Sequence, residues 1–558
     1  MFLERISSPE DLRKLKIEEL PKLASEIRQL MVEVTSLNGG HLASSLGAVE
    51  LIIALHYCLN TPADKIVFDV GHQAYAHKII TGRKDNFATL RRYGGISGFP
   101  SRNESEFDVF TTGHSSNAVS LALGLACARD CLPERERFKV AAVIGDGSLS
   151  GGLCFEGLNN AGHLKKDMIV VLNTNELSIA PNVGALSNYL NKIISLPVYN
   201  HFRESLVNFL SSRGARAEKL LKLAARFEEG LKGLFVPGVL FEELGFRYFG
   251  PFEGHNLELL VPSLRNILNI KGPRIVHVVT KKGKGYFAAE NDPVRFHGTG
   301  PFDIQSGQAK PKAGVQESYT EVFAEALVEA AKEDKSIVAV TAAMPEGTGL
   351  DKFRDAFPDR FFDVGIAEAH AVTFSAGLAK AALKPVIAVY STFLQRSYDQ
   401  IIEDVALQEL PVIFCVDRAG IVGEDGATHH GLFDLSFLGN IPGLTVMAPK
   451  DTEELKEMFK FEVKLNRPVA IRYPRGTAVK LPQEGSGSAI ELGRPKVLRS
   501  GKDLAIMALG SMVAPSLEAA QLLESEGLSA QVILPVLPGL CIRIFFVSSR
   551  LNLSLFFP

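Results

Sequence analysis

Asp146, set between Gly145 and Gly147, and Asn175, inside Asn173-Thr174-Asn175, are the residues of this 558-residue chain whose types and spacing point most directly to chemistry. A carboxylate and an amide oxygen suit a hard, oxygen-preferring cation such as Mg²⁺. The glycines let the backbone approach a ligand closely, and a helix starting just after them favours an anion at its N-terminus. Together they call for Mg²⁺ with a diphosphate, although Gly-Asp-Gly also serves in ordinary turns. For the two oxygens to meet, the apolar runs Val140–Ile144 and Met168–Leu172 must be parallel strands of one β-α-β unit. Both strand ends then lie on the carboxyl edge of the sheet, where ligands of open α/β sheets bind.

Spacing of this kind resembles the thiamine diphosphate motif, and that cofactor needs a second group. A carboxylic acid must hydrogen-bond the aminopyrimidine ring before the cofactor becomes reactive. Glu368, in Phe361-Phe362-Asp363-Val364-Gly365-Ile366-Ala367-Glu368, follows a strand-like run and opens a helix. Alone it reads as a surface glutamate favoured by the helix dipole; beside the diphosphate motif it reads as the activating acid.

Alternating strand-like and helical patterns over residues 1–300 predict a parallel sheet covered on both faces, interrupted by a basic helical insertion at about 185–235. Gly298–Gln316 reads as a linker. A second α/β region at 317–480 carries the apolar runs Ile337–Val340, Val386–Val389 and Val412–Val416, and Leu481–Arg494 leads to a short third region at 494–558. In that region only Asp503–Ala508 and Ala530–Ile533 read as strands, and the tail 534–558, apolar and without an acid, reads as aberrant and truncated. Net charge is −3, with 22% charged and 46% apolar residues and no polybasic tract or membrane-length apolar run. These features argue against a nucleic-acid or membrane partner. The start of the chain lacks the apolar core of a secretion signal, and the six scattered cysteines read as reduced, so a cytoplasmic location is expected.

Five further motifs fall in order: His41-Leu42-Ala43-Ser44, Asp69-Val70-Gly71-His72-Gln73-Ala74-Tyr75, Gly113-His114-Ser115-Ser116, Tyr390-Ser391-Thr392-Phe393-Leu394-Gln395-Arg396 and Asp417-Arg418-Ala419-Gly420. With them the chain, over about residues 1–533, closely resembles the 1-deoxy-D-xylulose-5-phosphate synthases, a family of transketolase-like thiamine diphosphate enzymes. The resemblance implies successive parallel-sheet α/β domains with thiamine diphosphate bound between the first two, and a homodimer. It implies Asp146, Asn175 and the Leu177 carbonyl as Mg²⁺ ligands, and His72, Gly113, His114, Ser115, Gly147, Ser148, Asn175, Tyr286 and Glu368 around the cofactor. His41, His297, Asp425 and His429 would join Glu368 in catalysis, and Ser44, Arg91, Tyr390, Arg396, Arg418 and Arg475 would bind substrate. Guanidinium forks match an acceptor phosphate, although arginines also form ordinary ion pairs.

The implied reaction is decarboxylative condensation of pyruvate with D-glyceraldehyde 3-phosphate to 1-deoxy-D-xylulose 5-phosphate and CO₂, feeding isoprenoid, thiamine and pyridoxal phosphate synthesis. Transketolase-type ketol transfer and an inactive remnant are the competing readings. Thr174 departs from the family, which usually has aspartate there; one charge near the metal is lost but neither proposed side-chain ligand.

Overall fold

The computed structural model describes residues 1–175, 184–186, 188–190, 238–310, 317–481 and 490–535. Strands β1 (Lys65–Phe68), β2 (Val140–Gly145), β3 (Met168–Asn175), β4 (Arg247–Glu253) and β5 (Pro273–Thr280) form a parallel sheet in the order β1-β2-β3-β5-β4. Strands β2 and β3 carry the unbroken apolar runs Val140–Ile144 and Met168–Leu172 because both faces of the sheet are covered. Ala141, Val143, Ile169 and Val171 enter one core with the helices Leu20–Asn38, Val49–Cys58 and Leu257–Leu268. Val140, Ala142, Ile144, Met168, Val170 and Leu172 enter the other, with helices Ala118–Asp130 and Gly152–Leu164. Each fully buried Val, Leu or Ile contributes roughly 1.5–3 kcal/mol over its exposed state.

The second sheet runs β10-β11-β9-β8-β6-β7. Its strands are β6 (Ile337–Thr341), β7 (Phe361–Asp363), β8 (Lys384–Tyr390), β9 (Ile413–Asp417), β10 (Thr445–Met447) and β11 (Val469–Arg472). The β6–β8, β8–β9, β9–β11 and β10–β11 pairs are parallel, with Tyr390 in register with Asp417. That register places the ends of two adjacent strands, and the loops that leave them, side by side.

Two expectations need correction. The third region is more than one β-α-β unit: β12 (Lys496–Arg499) pairs antiparallel with β14 (Ala530–Leu534), which pairs parallel with β13 (Leu504–Met507). The Lys-Val-Leu-Arg strand is short, charged at both ends and lies at a sheet edge, so it carries no apolar run to announce it. The described part of the expected linker is also packed. Phe302 is buried in the first core beside Phe296, and Thr299 bridges Gly40. One aromatic side chain outweighs the local Gly, Pro and Lys composition.

Contacts between Cα atoms divide the described residues into two compact units. The first takes those of Met1–Val315, Asp363–Ala367 and Val422–His430, and the second those of Gln316–Phe362, Glu368–Ile421 and Gly431 onward. Most of the expected insertion at 185–235, Leu177 and the tail from 536 lie outside the described residues.

Candidate active site

In the first unit, β2 and β3 end beside each other, with Gly145 in register with Asn173. Asp146 caps the short 3₁₀ turn Gly147–Ser150 by accepting from the Gly147 N–H at 2.9 Å. Asn175 ends β3 opposite Thr280, whose hydroxyl donates to Asn173 Oδ1 at 2.8 Å and Asn175 Oδ1 at 3.3 Å. Thr174 is buried, hydrogen-bonded to His277 Nε2 at 2.7 Å, and His277 Nδ1 meets the Tyr248 hydroxyl at 2.5 Å. Strand alternation sends Thr174 to the face opposite the two asparagines, which is why its substitution leaves their oxygens at the edge.

Histidines from four separate stretches converge in the same unit. His41 lies 5.9 Å from His297 and 6.1 Å from His72, and His72 lies 5.1 Å from His297, ring centre to ring centre. Phe99 packs against His41 at 5.1 Å and stacks on His429 at 4.7 Å. Burial holds the imidazole of His41 down at about 3 and that of His297 at about 4, and keeps His72 well below its ordinary value, so all three are neutral at physiological pH. The Ser44 hydroxyl lies 3.2 Å from His297 Nδ1.

His114 Nε2–H donates to the Thr428 carbonyl at 2.8 Å, which fixes its tautomer, and Arg91 pairs with Asp425 at 2.7 Å. A Cβ on Gly113 would lie 2.2 Å from Thr428 Oγ1, so only glycine fits there. Tyr286 is held in place in the same unit: its hydroxyl donates to the Ile304 carbonyl at 2.9 Å, and its ring packs on Phe296 and Phe302.

The second unit gathers a separate set. Glu368 opens the helix Glu368–Lys380 with only 4% of its surface exposed. Burial pushes its carboxyl above the ordinary range, partly offset by Arg396, whose Nη1 is 3.5 Å away. At the paired ends of β8 and β9, the Arg418 guanidinium lies 3.6 Å from the centre of the Tyr390 ring and donates to the Gly347 carbonyl at 2.7 Å. Asp417, fully buried, accepts from the Arg418 N–H at 2.6 Å and the Thr320 hydroxyl at 2.8 Å. Its carboxyl is raised to about 6 by burial, against the pull of Arg418 and Arg475. Of the expected substrate-binding residues, Tyr390, Arg396, Arg418 and Arg475 thus belong to the second unit, whereas Ser44 and Arg91 belong to the first.

Phe99 and Asp417 are two residues that motif reading passes over as site residues. Phe99 carries no periodic signal. Asp417 carries a local signal of another kind, as an acid closing the apolar run Ile413–Val416.

The family described as 1-deoxy-D-xylulose-5-phosphate synthase matches residues 3–280. The pyrimidine-binding domain of transketolase matches 316–479, and the transketolase C-terminal domain matches 493–536. The chain is 54% identical over 534 residues to 1-deoxy-D-xylulose-5-phosphate synthase of Syntrophus aciditrophicus, covering 95% of this chain and 82% of the relative. It is 54% identical over 532 residues to the synthase of Heliobacterium modesticaldum, with shares of 95% and 82%. Against 1-deoxy-D-xylulose-5-phosphate synthase 1 of Geobacter sulfurreducens it is 52% identical over 532 residues, with shares of 95% and 83%. Likeness of that extent, running through both the histidine cluster and the Glu368 helix, makes this chain a member of the 1-deoxy-D-xylulose-5-phosphate synthase family.

Proposed function

We infer that this chain condenses pyruvate with D-glyceraldehyde 3-phosphate, releasing CO₂ and 1-deoxy-D-xylulose 5-phosphate, with thiamine diphosphate and Mg²⁺ as cofactors. The observation that carries the reading is likeness over 95% of the chain to relatives named for that product. It favours the synthase over ketol transfer.

The residues present fit the cofactor. His41 Nδ1 and His72 Nδ1 are buried without a hydrogen-bond partner among the described residues, and the two oxygens at the β2 and β3 ends suit Mg²⁺. Asp146 and Asn175, with the Leu177 carbonyl, would hold the ion; His72, Gly113–Ser115, Gly147, Ser148 and Tyr286 would line the cofactor. When bound, thiamine diphosphate supplies a carbon nucleophile for the keto group of pyruvate and accepts the electron pair left by CO₂.

Glu368, buried and raised toward its protonated form, would donate its O–H to the aminopyrimidine ring. Neutral His41 and His297 would offer one N–H and one acceptor nitrogen each, suited to orienting a carboxylate or hydroxyl and moving a proton. Asp425, held by Arg91, and His429, held by Phe99, would serve the same atoms. Ser44 would sit near the reacting carbons, and Arg418, Arg475, Tyr390, Arg396 and Arg91 would receive the acceptor and its phosphate.

A homodimer is part of the proposal. It is supported by Ile421, Leu432 and Phe433, exposed apolar side chains flanking the Gly420–Gly431 bridge, and sedimentation tests it. A cytoplasmic location is supported by the free thiols of the five described cysteines. No helix among the described residues is long and apolar enough to cross a membrane. The deciding assay is CO₂ release from pyruvate with and without glyceraldehyde 3-phosphate. Release that depends on the acceptor, with the pentulose phosphate formed, supports the reading; none under either condition marks an inactive remnant.

A further inference from the structure

We propose that Asp69 is a positioning residue that holds three loops, those around His72, Gly113–Ser115 and Gly147–Ser148, in one arrangement able to receive a diphosphate. The inference rests on the reading of those loops as diphosphate-facing and adds the residue that joins them.

Asp69 stands just past the end of β1, 1% exposed, with its N–H donating to the Val143 carbonyl of β2 at 2.8 Å. Its carboxylate oxygens go to a different loop. Oδ1 accepts from the Ser116 N–H at 2.8 Å and Oδ2 from the Ala118 N–H at 3.0 Å. Ala118 opens the helix Ala118–Asp130, whose own cap residue, Asn117, supplies no side-chain bond, so Asp69 caps that helix from a distant strand. From Ser116 the linkage continues, because its hydroxyl donates to the Ser148 carbonyl at 2.9 Å.

The backbone on both sides of these contacts is strained in a way that serves them. Val70 has φ +59° and Ser116 φ +73°, left-handed values that a β-branched residue in particular avoids. Gly71, at φ +88°, could not carry a Cβ, which would meet Pro100 Cδ at 2.3 Å. The turn at Val70 and Gly71 leads directly into His72, whose carbonyl accepts from the Ser45 hydroxyl at 2.9 Å. Strain of this kind persists only where surrounding bonds over-determine it, and the Asp69 carboxylate supplies two of them.

The test compares calorimetric affinity of the full chain for thiamine diphosphate and for unphosphorylated thiamine, both with Mg²⁺, in the parent, Asp69→Asn and Ser116→Ala. Asp69→Asn sets an amide N–H against one of the two backbone N–H groups. It is expected to lose about 10- to 100-fold in thiamine diphosphate affinity, the loss of one charge-assisted contact, while thiamine changes less than about threefold. Ser116→Ala removes the link to Ser148, together with a longer 3.4 Å contact to the Ser115 hydroxyl, and is expected to lower the diphosphate preference by about three- to tenfold, a neutral hydrogen bond's worth. Should Asp69→Asn fail to fold, Ser116→Ala decides. A merely structural Asp69 would lower both affinities alike; that result, or an unchanged preference in Ser116→Ala, overturns the proposal. A parent that bound the two ligands equally would overturn the diphosphate reading itself and the inference with it.

Discussion

Arg418→Ala separates acceptor recognition from folding more sharply than any other single change. The guanidinium is held by a hydrogen bond to the Gly347 carbonyl, by the Tyr390 ring at 3.6 Å and by an ion pair with Asp417 Oδ2 at 3.5 Å, with 22% of the side chain still exposed. A cation–π contact of that kind contributes about 0.5–2 kcal/mol and the hydrogen bond about 1 kcal/mol, so the variant should lose about 2 kcal/mol of stability where Asp417 is protonated, and more as that carboxyl ionises. Losing a charge-assisted contact to the acceptor phosphate costs a further ~1.5–3 kcal/mol of binding, or roughly 10- to 100-fold. Steady-state kinetics should show that loss in kcat/KM for D-glyceraldehyde 3-phosphate and less than about threefold for unphosphorylated glyceraldehyde. Equal losses for both acceptors would refute the assignment and leave Arg418 a support for the strand ends.

The same variant carries a pH signature. Asp417 is raised by burial from an ordinary 3.8 to about 6, and Arg418 is the largest influence pulling it back down. Because the folded value lies above the unfolded one, this group's contribution is fully present below about pH 3.8 and is lost as pH rises through about 6. Two pKa units correspond to about 3 kcal/mol. Without Arg418 the falling limb should extend to higher pH. Denaturant melts of parent and Arg418→Ala, each compared with its Asp417→Asn derivative between pH 4 and 8, isolate that limb; curves that coincide would show that the two groups do not interact.

Asp146→Asn and Asn175→Ala should each weaken Mg²⁺ and thiamine diphosphate binding together, and titration calorimetry showing unchanged affinity in both would remove the metal site from the β2 and β3 edge. Glu368→Ala should bind the cofactor nearly as the parent does yet slow exchange of its acidic C2 proton by orders of magnitude; exchange at the parental rate would return Glu368 to an ordinary helix start. Glu462 is buried, neither of its carboxyl oxygens has a hydrogen-bond partner among the described residues, and burial raises its pKa well above normal. Glu462→Met should therefore stabilise the chain by about 1–3 kcal/mol, with the gain growing as pH rises toward the folded pKa, and a destabilised variant in denaturant melts would count against the reading.

Sequence alone determined what depends on neighbours along the chain. The runs at β2, β3, β6, β8 and β9 are legible because a strand buried on both faces must be apolar throughout. The placement of Asp146 and Asn175 follows from parallel strands ending at one edge. Motif order carries the family and, with it, the cofactor.

Tertiary structure alone decided which distant groups meet. Nothing local to Asp69 says that its carboxylate caps a helix beginning at Ala118, or that Phe99 stacks on His429 and Arg91 pairs with Asp425. Such pairings depend on turns with positive φ at Val70, Arg91 and Ser116, conformations their residue types do not announce. Thr174 shows the same division: its place between two asparagines is written in the sequence, but its hydrogen bond to His277 comes from a strand more than a hundred residues away. Local propensity acts through a few bonds, whereas a buried polar group takes whichever partner the folded chain delivers, because leaving it unpaired costs more than any local preference.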